Sequence, residues 1–183
     1  MNRTESYTLL QEYTKTPNLL KHGLAVEAAM RWYAIKNNAN EELWSITGLL
    51  HDFDYEMFPL APDHPLRGAE ILRARGYPDE IIDAILGHAD YSGVPRLTKM
   101  AKTLFACDEL CGLIVAVALV RPSKKLADVT FESVKKKMKD KAFARQIRRE
   151  DIIQGANEID VPLDEHINNC LTALQSVSQE LEL

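Results

Sequence analysis

The segment Leu43-Trp44-Ser45-Ile46-Thr47-Gly48-Leu49-Leu50-His51-Asp52 decides the fold of this chain. Its apolar run follows Asn40-Glu41-Glu42, in which Asn40 is a typical helix N-cap and the two glutamates suit the positive first turn. The segment is therefore predicted to be a buried helix. That helix ends in an imidazole and a carboxylate side by side, a pair that is typical of metal ligands rather than of a hydrophobic core.

Other histidine and aspartate side chains complete a set of candidate ligands around this pair. Four of the chain's five histidines belong to the set. Neighbouring residues on a helix point about 100° apart, so we expect His51 to face one metal ion while the two oxygens of Asp52 bridge two ions. The six candidate ligands are His22, His51, Asp52, His64, His88 and Asp108.

This ligand set indicates a two-metal site that activates water. Imidazole favours transition metals, so we expect two divalent ions, iron or manganese first, with zinc, magnesium, cobalt and nickel as alternatives. Such ions would lower the pKa of bound water and yield hydroxide near neutral pH, which makes the bridging Asp52 the candidate catalytic residue. Taken singly, a histidine such as His22 or His88 is more often structural, and His64 before Pro65 resembles an N-cap. Asp108 lies in an apolar helix, where an unpaired carboxylate would be costly.

The remaining pattern is helical nearly throughout, and no alternating strand or hairpin signal is present. We therefore predict an all-α, single-domain bundle over residues 1–183, with a ligand-bearing core at about 18–125 and a C-terminal helical layer at about 126–183. The predicted helices are Glu5 to Tyr13, Pro17 to about Asn37, Asn40 to Asp52, His64 to Gly76, Pro78 to His88, Arg96 to Val120, Phe131 to Lys139, Arg149 to Glu158 and Pro162 to Leu181.

The net charge of −5 is unevenly distributed. Between Arg121 and Arg149, 11 Lys/Arg stand against three acids, a local charge of +8, so the rest of the chain carries −13. A solvated helix face is the favoured interpretation. A rim that attracts an anionic substrate is the alternative, and nucleic acid is a weaker one because no recognised binding motif accompanies the charge.

The cysteines and the N-terminal sequence predict a cytoplasmic protein. The chain has three cysteines, and its N-terminal segment has no apolar signal core. The cysteines are therefore expected to be reduced thiols. Cys107 and Cys111 share a helix face and are predicted to be core residues rather than zinc ligands. His166, next to two acids, is predicted at the surface. The apolar stretch Leu110 to Val120 is too short to cross a bilayer, so no membrane partner is expected.

The order His22, His51-Asp52, Asp108 resembles the HD superfamily of metal-dependent phosphohydrolases. The added His64 and His88 resemble its two-metal members, such as the HD-GYP cyclic-dinucleotide phosphodiesterases and the bacterial symmetrical dinucleoside tetraphosphatases. The segments Leu49 to Glu56 and Ala118 to Lys125 are similar to small stand-alone bacterial HD hydrolases. The likeness covers about residues 18–125 by motif.

The resemblance implies an all-α HD-type bundle in which Asp52 bridges the metals, with His22, His51 and Asp108 on one ion and His64 and His88 on the other. Many relatives continue the His-Asp pair with Ile-Gly and often with a lysine, which contacts phosphate in some of them. This chain has Phe53-Asp54-Tyr55-Glu56 instead. The missing lysine counts against a cyclic-dinucleotide substrate.

The function expected from these features is hydrolysis of a phosphate ester or anhydride of a nucleotide or small phosphorylated metabolite, by a monomer or a homodimer. Asp54 or Glu56 is expected to orient the water or a metal-bound histidine. An HD-type mixed-valent di-iron oxygenase is the alternative, because ligand identity does not separate the two chemistries. A non-catalytic metal-binding module is a third reading. The candidate phosphate contacts are Arg67, Lys99, Lys102, Lys124 and Lys125.

Overall fold

The computed structural model describes residues Met1–Leu183 and confirms the all-α prediction, with ten α-helices and no strand. No helix combines the length and the apolar character needed to cross a membrane. The helices are α1 (Arg3–Tyr13), α2 (Pro17–Lys36), α3 (Glu41–Leu50), α4 (Asp63–Ala74), α5 (Asp79–Gly87), α6 (Lys99–Leu119), α7 (Phe131–Lys139), α8 (Arg149–Glu158), α9 (Leu163–Ser176) and α10 (Ser178–Leu181), with 3-10 turns at Asp90–Ser92 and Leu126–Asp128.

The helix boundaries follow local capping chemistry. Asn40 accepts a hydrogen bond from the backbone N–H of Leu43 at 3.0 Å, which confirms the predicted start of α3. Helix α6 starts three residues later than predicted, after Thr98, whose side chain accepts the N–H of Ala101. Arg96 is not helical, and its guanidinium pairs with carboxylates on other segments. The helix predicted from Pro162 to Leu181 is interrupted at Val177, which separates α9 from α10.

The buried apolar side chains form one continuous cluster that reaches from α1 to α10. Helices α2, α3 and α6 lie at its centre. Helix α5 packs on α3 and α6, helix α8 packs on α6, and helix α9 packs on α2 and α6. The division into a ligand-bearing core and a C-terminal layer stays a prediction.

The prediction that His166 lies at the surface is wrong. The side chain is fully buried on α9, with its Nδ1 2.7 Å from the hydroxyl of Tyr33 and its Nε2 donating to the carbonyl of Ala106 at 2.8 Å. The ring therefore joins α9 to α2 and α6 through two hydrogen bonds. Its acidic neighbours in sequence lie on the exposed side of the same helix. Cys107 and Cys111 are buried core residues, as predicted, and burial raises the pKa of both thiols.

The backbones of α2 and α3 come into contact at Gly48, close to the His51-Asp52 pair. A Cβ atom added to Gly48 would lie 2.8 Å from the carbonyl oxygen of Val26 and 2.9 Å from the backbone nitrogen of Glu27. Only a glycine lets the two backbones touch here. Gly48 is three residues before His51, so this contact also sets the distance between the imidazoles of His22 and His51.

We expect Gly48→Ala to lower the free energy of unfolding by about 1–3 kcal/mol, because the added methyl forces two backbones apart. Urea unfolding followed by circular dichroism measures this change. Gly112→Ala is the matched control, since a Cβ atom there meets nothing closer than 3.6 Å. Equal stability of Gly48→Ala and wild type would show that α2 and α3 separate without cost.

Candidate metal centre

Five helices deliver the six predicted ligands to one place. His22 lies in the second turn of α2, and Asp108 lies in the middle of α6. The other four lie at helix ends: His51 and Asp52 follow the last turn of α3, His64 precedes the regular part of α4, and His88 follows α5. The site therefore exists only when these helices are packed together.

Three of the six side chains form a first triad, namely His22, His51 and Asp108. The Nε2 atom of His22 lies 3.1 Å from Nε2 of His51 and 3.0 Å from Oδ1 of Asp108, and His51 Nε2 lies 3.4 Å from the same oxygen. Bonds of about 2.0–2.2 Å from one metal ion place neighbouring donor atoms about 3–3.5 Å apart. The triad therefore fits a single ion.

The second triad consists of Asp52, His64 and His88. Oδ1 of Asp52 lies 3.2 Å from Nε2 of His64 and 3.4 Å from Nε2 of His88. Its other oxygen, Oδ2, faces the first triad, at 3.6 Å from His51 Nε2 and 3.8 Å from His22 Nε2. One carboxylate thus presents one oxygen to each triad, which is the arrangement of a bridging ligand.

Hydrogen bonds hold three of the imidazoles with Nε2 toward the centre. Nδ1 of His51 bonds the carbonyl of Gly48 at 2.8 Å, and Nδ1 of His88 bonds the carbonyl of Ile85. Nδ1 of His64 bonds the carboxylate of Asp54 at 2.8 Å. A ring that donates its Nδ1–H keeps a lone pair on Nε2, which is the form that binds a metal.

The electrostatics of the cluster favour bound cations. Burial opposes the charged form of His51, but Asp52 and Asp108 raise its pKa to about 9. His64 behaves in the same way: burial opposes its charge, and Asp52 together with Asp54 raises its pKa to about 9. Burial also opposes ionisation of Asp52, yet its histidine neighbours, His51 foremost, hold its pKa well below the ordinary value. The metal-free cluster thus retains protons, which divalent ions would displace.

A cavity of about 350 Å³ opens onto the two triads and is called the metal-site cavity below. His51, His64 and His88 are almost fully covered, whereas the side chains of His22, Asp52 and Asp108 are 19–23% exposed toward it. Access to the centre is therefore from the side of these three groups. The rest of the wall consists of Tyr55, Ala89, Asp90, Tyr91, Phe105, Glu109, Gly112, Ile147, Arg148 and Asp151.

Sequence reasoning missed the charged residues of this wall. Glu109 follows Asp108 on α6, and burial together with Asp108 raises its pKa to about 7. Arg148 and Asp151 lie at the start of α8, and their side chains pair at 3.2 Å. Because Glu109 is next to Asp108 in sequence, it could have been predicted to line the cavity. Nothing in the local sequence indicates that the segment before α8 returns to this cavity.

None of the five predicted phosphate contacts lines the metal-site cavity, and their role in binding substrate stays a prediction. Arg67 pairs with Asp63 and Glu70 on the exposed face of α4. Lys124 and Lys125 lie in the exposed turn after α6. The other two of the five, Lys99 and Lys102, line a separate cavity of about 370 Å³.

Helix geometry explains the misplacement of the two lysines on α6. At about 100° per residue, Lys102 lies about 120° around the helix from Asp108, and Lys99 lies on the opposite face. The two lysines were predicted near the site because they are close to Asp108 in sequence, but the helix directs their side chains away from it.

The two residues predicted to orient the ligands or the water lie in different places. Asp54 is fully buried, and it accepts the backbone N–H of Gly68 at 2.8 Å in addition to its bond with His64. Glu56 instead accepts the backbone N–H groups of Lys15 and Thr16, at 2.7 and 3.0 Å. Glu56 therefore fixes the α1–α2 connection, and Asp54 is the one of the two alternatives that contacts a predicted ligand.

This all-α bundle brings together histidine and aspartate side chains that could hold metal ions. The chain matches the HD domain family over residues 19–113, just over half of its length, and it belongs to that family. The matched region contains all six predicted ligands. Members of the family are mostly metal-dependent phosphohydrolases. No curated protein and no solved structure gives a significant match, and the likeness to stand-alone bacterial hydrolases stays a prediction.

We expect Asp54→Asn to weaken metal binding by about 10–100-fold, because one amide oxygen cannot accept both hydrogen bonds that orient His64 and the start of α4. Titration of the metal-free protein with Mn²⁺ in a calorimeter measures the affinity. Asp63→Asn, which changes an exposed carboxylate at the start of α4, is the control. Unchanged Mn²⁺ affinity in Asp54→Asn would remove Asp54 from the site.

Proposed function

We propose that this protein is a two-metal phosphohydrolase that cleaves a phosphate ester in the metal-site cavity. The observation that carries the proposal is the position of Asp52, whose two oxygens face the two triads separately. A cluster that held one ion would need only one of the triads. The six residues are therefore proposed as ligands to two ions, with Asp52 shared between them.

The donor set fits transition-metal ions, since four imidazoles and two carboxylates suit iron or manganese better than magnesium. Divalent ions held here would supply an activated water molecule and would neutralise charge on phosphoryl oxygens. The chain itself supplies orientation. Asp52 is held by its position after α3, and His64 is aligned by Asp54. Asp52 and Asp108 are partly exposed to the metal-site cavity, so a phosphoryl group would approach the ions from that side.

The first test is metal content per chain, in protein purified without chelator, together with hydrolysis of p-nitrophenyl phosphate and bis(p-nitrophenyl) phosphate. We expect two ions in the wild type and one or none in Asp52→Ala, with activity reduced by roughly a thousandfold or more. Asp83→Ala, an exposed aspartate on α5, is the control and should retain both ions. At most one ion in the wild type, or turnover that requires oxygen, would contradict the proposal.

A second substitution separates a catalytic centre from a purely structural one. The position of Gly112 leaves space between His22 and Ile147, with Ile147 Cδ1 at 3.6 Å and His22 Cε1 at 4.0 Å from an added Cβ atom. We expect Gly112→Val to retain both ions but to lower kcat/KM on the order of tenfold to a hundredfold, because its methyl groups enter the cavity. Elemental analysis and steady-state kinetics measure the two quantities. Full activity in this variant would place the reaction elsewhere.

A further inference from the structure

The wall of the metal-site cavity away from the two triads is negatively charged. It contains three carboxylates, those of Asp90, Glu109 and Asp151, and one guanidinium, that of Arg148. No lysine lines the cavity, although the chain as a whole has a strongly basic segment. The wall is therefore unsuited to a second phosphate or carboxylate group on the substrate, because like charges repel in a cavity that is partly shielded from water.

Ion pairs on this wall account for every charge except that of Glu109. Asp90 lies 2.7 Å from Nη1 of Arg96, and Asp151 lies 3.2 Å from Nη1 of Arg148. Glu109, in contrast, has no ion-pair partner within 4 Å, although its side chain lines the same wall. Its side chain is partly buried, so a partner that carries positive charge would stabilise the ionised carboxylate there.

The position of Glu109 brings this carboxylate close to the proposed reaction centre. Glu109 directly follows Asp108 of the first triad on α6, and it lies one helical turn before Gly112. Residues three apart on a helix share a face, so the carboxylate lies beside the space that Gly112 leaves open. A small substrate with its phosphoryl group at the triads has its other end at this wall.

We propose that Glu109 selects phosphate esters whose alcohol carries an ammonium group, by pairing with that group while the phosphoryl group lies at the two triads. The inference rests on the proposed function, and the covalent step is the same. The oxygen of water bonds to phosphorus, the bond between phosphorus and the ester oxygen breaks, and the departing alcohol takes up a proton. The products are inorganic phosphate and a protonated amino alcohol.

The test compares three small probes of similar size on the Mn²⁺-loaded protein: O-phosphoethanolamine, propyl phosphate and phosphoglycolate. The first ends in an ammonium group, the second in a methyl group and the third in a carboxylate. We expect calorimetry to show that wild type binds O-phosphoethanolamine on the order of tenfold more tightly than propyl phosphate, the ratio that one charge-assisted hydrogen bond supports. Phosphoglycolate should bind most weakly.

Glu109→Gln keeps the size of the side chain and removes its charge. We expect this variant to bind O-phosphoethanolamine and propyl phosphate equally, with unchanged affinity for propyl phosphate and unchanged Mn²⁺ content. Glu132→Gln, an exposed position on α7 away from the cavity, is the control and should keep the wild-type preference.

Measurements of binding test this inference, whereas measurements of hydrolysis test the proposed function. A preference for O-phosphoethanolamine that disappears in Glu109→Gln supports the inference even if no probe is hydrolysed, in which case the proposed function fails. Hydrolysis of all three probes without such a preference supports the proposed function and overturns the inference. Failure of wild type to bind any probe, or a preference that survives in Glu109→Gln, also overturns the role of Glu109.

Discussion

The carboxylate of Asp52 is the group on which the geometry of this site depends. One of its oxygens lies 3.2 Å from His64 and the other lies 3.6 Å from His51, so it joins two triads that come from different helices. This position requires the end of α3 to lie between α2 and α6 on one side and α4 and α5 on the other. The packing of the helices therefore fixes the spacing of the donor atoms.

Helix packing at this centre brings together imidazole nitrogens whose lone pairs repel each other. The touching backbones at Gly48 hold α2 against α3 and bring imidazole nitrogens to 3.1 Å from each other. Such a separation leaves two lone pairs facing each other unless a proton or a metal ion lies between them. The carboxylates that keep His51 protonated in the metal-free state are also the ligands that would bind a divalent ion. Metal binding should therefore add to the stability of the fold.

Local rules predicted the helices and the set of donor residues, because capping and ligand type are properties of short segments. The N-cap of α3 and the grouping of His51 with Asp52 are of this kind. Which face of a helix is buried, and which distant segments come together, are not properties of short segments. The face of α9 that buries His166 depends on Tyr33 and Ala106, which are distant in sequence. Glu109 and Arg148 meet in one cavity only because the start of α8 packs on α6.

The basic segment from Arg121 to Arg149 shows why net charge is a poor guide to a binding site. Arg149 uses its guanidinium inside the protein, where it donates to the carbonyls of Ala144 and Ile147 at 2.6 and 2.7 Å and so shapes the turn before α8. That turn brings Ile147 and Arg148 to the cavity, and Arg148 arrives already paired with Asp151. The segment that is most positive in sequence thus contributes little free positive charge to the cavity.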